Sequence, residues 1–263
     1  MDPRLPMPSS SPSPALRRLP RCRLHPGGWR GHPRDAGGRA LPHLTFAQDG
    51  AQLWPGALDQ DALDGIGAAT AGLPRGRAGI RLHGIVALRP ILLADGPVGA
   101  VAASVLGPGC RPVRAILFDK TAAANWALPW HQDRTVAVQA RAEAPGFGPW
   151  TVKDGMPHVA PPEAVLAGMV TLRAHLDPVP ADNAPLLVAP GSHRLGRVAQ
   201  ADVPGAVARC GVQACLAEAG DVWLYATLIL HASEAAAVPG RRRVLQVDYA
   251  ASSLPGGLMW LGV

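Results

Sequence analysis

Two hydrophobic rhythms run along the chain. In LDQDALDGIGAATAGL (58–73), Leu58, Leu63, Ile66 and Ala69 recur at helical spacing, and Asp59 or Asp61 stands where an N-cap side chain is needed. VGAVAASVLG (98–107) predicts a second helix, ended by Gly107-Pro108. Beyond it the rhythm falls to two. VRAILF (113–118), RTVAVQA (134–140), GMVTLRAHL (168–176), APLLVA (184–189), DVWLYA (221–226) and RVLQVDYA (243–250) are short and rich in β-branched residues, and they predict strands. Turn clusters such as PVPADN, PGSH and AVPG bound them. One or two helices followed by many short strands predict a mainly β fold with flanking helices, an antiparallel barrel or a two-sheet jelly roll. The chain shows no internal repeat, P-loop or GxGxxG motif.

Composition sharpens this in three ways. Hydrophobic residues make up 48% of the 263 and charged residues 17%, enough apolar material for a real core. The first 43 residues differ: they are rich in Pro, Ser, Gly and Arg, without apolar periodicity, and are expected to form a disordered basic tail. Residues 44–263 are expected to form one domain. The tail carries eight arginines and two acids, a net +6 equal to that of the whole chain. The remainder is neutral, so the basicity does not point to a nucleic-acid-binding surface. No apolar run approaches the ~20 residues that span a bilayer, and no membrane partner is expected. Cys22, Cys110, Cys210 and Cys215 lack the paired spacing of a zinc site, and they read as reduced thiols in a cytoplasmic protein.

The chemistry concentrates in NWALPWHQD. If the strand at 134–140 begins early, His131 and Asp133 project from one face, because residues i and i+2 do so in a strand. One imidazole and one carboxylate make two ligands for a divalent metal. A distant histidine would complete the two-His, one-carboxylate triad of non-haem iron oxygenases. His158 in a loop, His175 at a strand end, His193 in a turn and His231 are the candidates. His231 is favoured, because it ends the apolar run GDVWLYATLILH, as a residue at a strand mouth would. Arg241, Arg242 and Arg243 begin the next strand and cover both of its faces, so at least one points inward. An inward arginine could take a carboxylate bidentately. Ser233 lies close enough in sequence to assist. HxD alone is a common structural hydrogen bond; the order HxD, His, Arg on a strand-rich background is more specific.

NWALPWHQD, FGPWTVKDGMPHVAPP, LRAHLDPVPADNAPLLVAPGSHRLG and GDVWLYATLILHASEAAAVPGRRRVLQVDYA resemble the phytanoyl-CoA dioxygenase family of Fe(II)- and 2-oxoglutarate-dependent oxygenases. The likeness spans roughly residues 44–252. It implies a double-stranded β-helix, the cupin-like jelly roll. It implies that His131, Asp133 and His231 ligate iron and that Arg242, helped by Ser233, binds the distal carboxylate of 2-oxoglutarate. Asn125 and Lys120 stand where the family often has polar co-substrate contacts. Asp133 marks the chain as similar to the hydroxylases and not to the related halogenases, which have a small residue there. Two departures are visible: DNA replaces the family's usual DNG or ENG, with Ala184 for glycine, and EAAA follows the distal H-x-S where an asparagine is common.

The implied reaction consumes Fe(II), 2-oxoglutarate and O₂, releases succinate and CO₂, and hydroxylates a small-molecule substrate. Trp126, Trp130, Phe147 and Trp150 are candidate walls of the pocket, and Lys153, His158 and Arg173 candidate substrate contacts. His193 reads as structural. A zinc-dependent hydrolase or isomerase could use the same triad without needing the arginine, and a non-catalytic jelly roll could bind a small molecule without either. A monomer or a homodimer is expected.

Overall fold

The computed structural model describes residues 43–74, 77 and 79–263, so all but His43 of the expected basic tail lies outside it. Thirteen strands follow one another: β1 (Ala51–Trp54), β2 (Ile80–Leu82), β3 (Arg111–Lys120), β4 (Leu128–His131), β5 (Val136–Ala137), β6 (Trp150–Lys153), β7 (Met156–Val159), β8 (Met169–His175), β9 (Leu186–Val188), β10 (Gln213–Cys215), β11 (Val222–Ala226), β12 (His231–Ser233) and β13 (Arg242–Ala250). They form a six-stranded sheet in the order β1-β11-β8-β13-β3-β2, a four-stranded sheet β10-β9-β12-β4 and a three-stranded sheet β5-β7-β6, with antiparallel pairing throughout. The architecture is the jelly roll the patterning suggests, open and not closed into a barrel.

Strand periodicity divides the large sheet into two unlike faces. Leu117, Leu172, Ala174, Val222, Leu224, Leu245 and Val247 point to one side and pack against Leu58, Ile66, Leu88, Leu92, Val98 and Val101. Half of those partners, Ile66, Val98 and Val101, come from the predicted helices, observed at Gln60–Thr70 and Pro97–Leu106. Asp59 caps the first, its carboxylate accepting from the Ala62 N–H at 2.9 Å, which relieves one of the unpaired donors of a helix start. Pro97 opens the second, where no donor is lost.

The alternate residues point the other way. Register places Lys120 beside Arg242, Phe118 beside Val244 and His175, Ile116 beside Gln246 and Arg173, and Arg114 beside Asp248 and Thr171. This second face is therefore polar along β3, β13 and β8. Farther along, at β11 and β1, it becomes apolar again. Trp223 and Tyr225 meet Leu186, Val188 and Cys215 of the four-stranded sheet in a buried cluster.

Three sequence expectations change. RTVAVQA contributes only Val136–Ala137, while LPWH ahead of it forms its own strand. GDVWLYATLILH is not one strand: β11 ends at Ala226 in the large sheet, the chain turns, and His231 begins β12 in the small one. An unbroken apolar run conceals this corner because residues on both sides of it are buried. His158 lies within β7 and not in a loop. No single helix among the described residues is long and apolar enough to cross a membrane.

Candidate active site

His131 and His231 face each other across the β4–β12 pair, their ring centroids 4.3 Å apart. Each ring has its Nδ1 against a carbonyl two residues earlier, Pro129 O at 2.8 Å and Ile229 O at 2.9 Å. That contact favours the tautomer with hydrogen on Nδ1 and turns the lone pair of Nε2 outward, as metal-binding imidazoles require. Asp133 completes the group: ligand atoms of the three residues lie within 4.8 Å of one another. Burial, followed by the effects of Asp133 and His131, leaves the His231 pKa near 4, so the ring is neutral and able to donate to a metal. Burial opposes ionisation of Asp133, but Arg114, His231 and His131 overcome it and hold its pKa at about 2. One neutralised lone-pair donor and one firmly ionised carboxylate fit a divalent cation. Among the four histidines weighed from sequence, His231 alone joins this group.

Asp133 does not share a strand face with His131. β4 ends at His131, and residues 132–135 are not strand. The segment is fixed instead by Gln132, 3% exposed, whose Nε2 donates to Leu228 O (2.7 Å) and Gly196 O (2.8 Å) while its Oε1 accepts from the Val198 N–H at 2.9 Å. Ser192 of the PGSH turn does similar work on the other ligand, accepting from the Leu230 N–H at 2.9 Å, one residue before His231. Sequence reading missed both; a polar residue between two ligands was the available signal for Gln132.

Behind Asp133 stand Arg114, 3.3 Å from its Oδ2, and Gln246, which donates to the same atom at 3.4 Å. Arg114 also pairs with Asp248 at 2.6 Å, and Thr171 donates to Asp248 at 3.1 Å. At the opposite end of the polar face the charge is positive. Arg242 is 2% exposed; it donates to Ala184 O and leaves its Nε without a partner among the described residues. Lys120, 3% exposed, donates to Trp126 O, Glu234 O and Ser233 Oγ at 2.7, 3.1 and 3.2 Å. Burial first, then Arg242 and Arg173, lowers the Lys120 pKa to about 8. The flanking arginines point elsewhere: Arg241 pairs with Asp119 at 3.4 Å and Arg243 with Asp177 at 2.6 Å.

The other sequence candidates are placed around this group. The Asn125 amide is engaged with Ala236, accepting from its N–H at 2.7 Å and donating to its carbonyl at 3.0 Å; it shapes the loop after β12. Trp150 and Phe147 pack against the apolar cluster around Val136 and Val159, and Trp130 packs against the cluster around Ala189 and Leu230; all three are core contacts. Trp126 lies under Lys120, whose Nζ is 4.7 Å from its ring centre. Lys153 donates to Thr135 at 3.3 Å, two residues from Asp133. His158 is fully buried, with Nδ1 against Met156 O at 2.9 Å and Nε2 without a partner among the described residues. Arg173 lies opposite Gln246, and its charge acts on His175 and Arg242. Ala184 is not a remote loop departure. It adopts a left-handed φ of 51° and offers its carbonyl to both Arg242 and Ser233.

Similar architecture occurs in solved structures. The apo form of EctD from S. alaskensis is 19% identical, with 83% of this chain and 78% of that chain covered at a TM-score of 0.58. AviO1 from Streptomyces viridochromogenes is 20% identical, with 80% and 94% covered at 0.57. The epimerase SnoN, solved in complex with Fe3+, alpha ketoglutarate and nogalamycin RO, is 17% identical, with 81% and 88% covered at 0.56. At these identities the likeness speaks for the fold. No curated protein matches the chain. The family model for phytanoyl-CoA dioxygenase (PhyH) matches residues 46–244, a span that contains the histidine pair, Asp133 and the buried arginine, and the chain belongs to that family.

Proposed function

We propose that the chain is an Fe(II)- and 2-oxoglutarate-dependent dioxygenase that hydroxylates a small-molecule substrate. The observation that carries this reading is the pairing of a three-ligand group, His131, Asp133 and His231, with buried cations at Arg242 and Lys120, the latter bonded to Ser233 two residues from His231. A triad alone would suit many metals and reactions. A buried arginine with an open donor, at a remove from the triad, calls for an anion whose other end reaches the metal. The zinc hydrolase alternative gives Arg242 no task.

His131, Asp133 and His231 would hold the iron, which when bound supplies the coordination positions for a 2-oxo acid and O₂. The chain's own groups do the rest. The backbone carbonyls of Pro129 and Ile229 orient the imidazoles. Arg114 and Gln246 steady Asp133. Arg242 receives the distal carboxylate, with Ser233 and Lys120 beside it. Lys153, bonded to Thr135 two residues from Asp133, would be a substrate contact.

Anaerobic titration of Fe(II)-loaded protein with 2-oxoglutarate tests the reading, following the visible metal-to-ketoacid charge-transfer band. The band should form in wild type, be lost in His131→Ala, and need far more co-substrate in Arg242→Ala. Succinate release and a substrate product heavier by one oxygen would then establish hydroxylation. Absence of the band in folded, iron-loaded protein sinks the proposal.

A further inference from the structure

Arg173 carries a guanidinium that this scheme leaves without a task. It is 7% exposed and makes no hydrogen bond or ion pair among the described residues. It extends from β8 into the polar space, opposite Gln246, with its Cζ 5.1 Å from the centre of the Phe118 ring. Gln246 is the residue that reaches Asp133, and Phe118 lies one row nearer Arg242. The charge of Arg173 is felt by Asp133 and His231 on one side and by Arg242, Lys120 and His175 on the other. It therefore lies between the triad and the far cations.

An arginine does not shed its charge in a protein, and a guanidinium with no carboxylate beside it among the described residues is a ready partner for an anion. Beside Arg173, His175 is 1% exposed and neither of its ring nitrogens has a partner among the described residues. Arg242, with its open Nε, is adjacent. No carboxylate of the described chain is paired with Arg173, Arg242 or Lys120. One distal carboxylate engages Arg242 and does not account for a second arginine nearer the triad.

We propose that Arg173 is a second carboxylate anchor, holding the carboxylate adjacent to the keto group of a 2-oxo acid while Arg242 holds the far one. The proposal rests on the reading of the site given above. It makes the co-substrate cradle two-armed, and it predicts that a 2-oxo acid lacking the distal carboxylate still depends on Arg173.

The test compares 2-oxoglutarate with 2-oxobutyrate in anaerobic titrations of Fe(II)-loaded wild type, Arg173→Leu and Arg242→Leu. Arg173→Leu should weaken both acids by a similar factor, roughly 10- to 100-fold, the usual range for one charge-assisted pair. Arg242→Leu should weaken 2-oxoglutarate alone. The unliganded Arg173→Leu protein should melt no lower than wild type, because it loses an unpaired charge, and Arg173→Lys should recover part of the affinity for both acids. Unchanged binding in Arg173→Leu, or loss confined to 2-oxoglutarate, overturns the assignment while leaving the oxygenase reading intact. Wild type that binds neither acid removes both.

Discussion

His131 and His231 are direct cross-strand partners, the last residue of β4 against the first of β12. Opposed residues in an antiparallel pair hold their Cβ atoms about 5 Å apart, so sheet register alone sets the bite of the two imidazoles. Metal binding should then lock the two strands together. At a free metal concentration about 100 times the dissociation constant, the linkage is worth about 2.7 kcal/mol. For a domain of this size that is a rise of roughly 5–10 °C in melting temperature. Calorimetry with Fe(II) under anaerobic conditions, or with Ni(II), should show the shift in wild type and in His193→Ala but not in His231→Ala.

Gln132 ties the segment between the two proximal ligands to three backbone groups. Gln132→Leu leaves two carbonyls and the Val198 N–H without this partner. The cost should be about 2–4 kcal/mol of stability, with metal affinity lower by roughly 10- to 100-fold as the carboxylate loses its fixed position. Denaturant unfolding and metal titration measure the two effects separately.

Ala184 holds a left-handed backbone conformation that glycine adopts freely. Ala184→Gly should relieve that strain. Glycine's extra freedom in the unfolded chain offsets part of the gain, leaving a stabilisation of up to about 1 kcal/mol. Because the Ala184 carbonyl accepts from Arg242 and Ser233, the glycine variant should keep wild-type affinity for 2-oxoglutarate. A higher unfolding midpoint with unchanged binding is the expected pair of results.

Lys120 gives the site a pH dependence. Its pKa is lowered to about 8 by burial and by Arg242 and Arg173, with His175 close to both arginines. An anion placed among these cations raises that pKa, so binding takes up a proton once pH exceeds about 8. Affinity for 2-oxoglutarate should thus be flat below pH 8 and fall as pH rises through it. In Lys120→Met affinity should be lower at pH 7 and should lack this decline. Dissociation constants at pH 7 and pH 9 decide it.

The sequence made the outer logic of this molecule readable. β13 alternates so cleanly that parity required at least one inward arginine, with Arg242 chosen by the family resemblance, and Asp59 and Asp61 marked the start of a helix. What stayed hidden depends on distance along the chain. The turn between Ala226 and His231 is apolar throughout, so nothing local marks the change of sheet. Gln132 and Ser192 look like ordinary polar residues until their partners at Leu228 and Leu230 are known. The row of the sheet that Arg173 joins, opposite Gln246, is likewise not given by spacing alone.

The two-faced β13 also sorts this strand by residue number. Arg242, Gln246 and Asp248 carry charge and hydrogen bonds toward the site, whereas Leu245, Val247 and Tyr249 belong to the helix-packed core. A protein engineer could therefore randomise the even positions to redirect chemistry and the odd ones to tune robustness. The two libraries would be nearly orthogonal, and a single inserted residue at the head of the strand would scramble both at once.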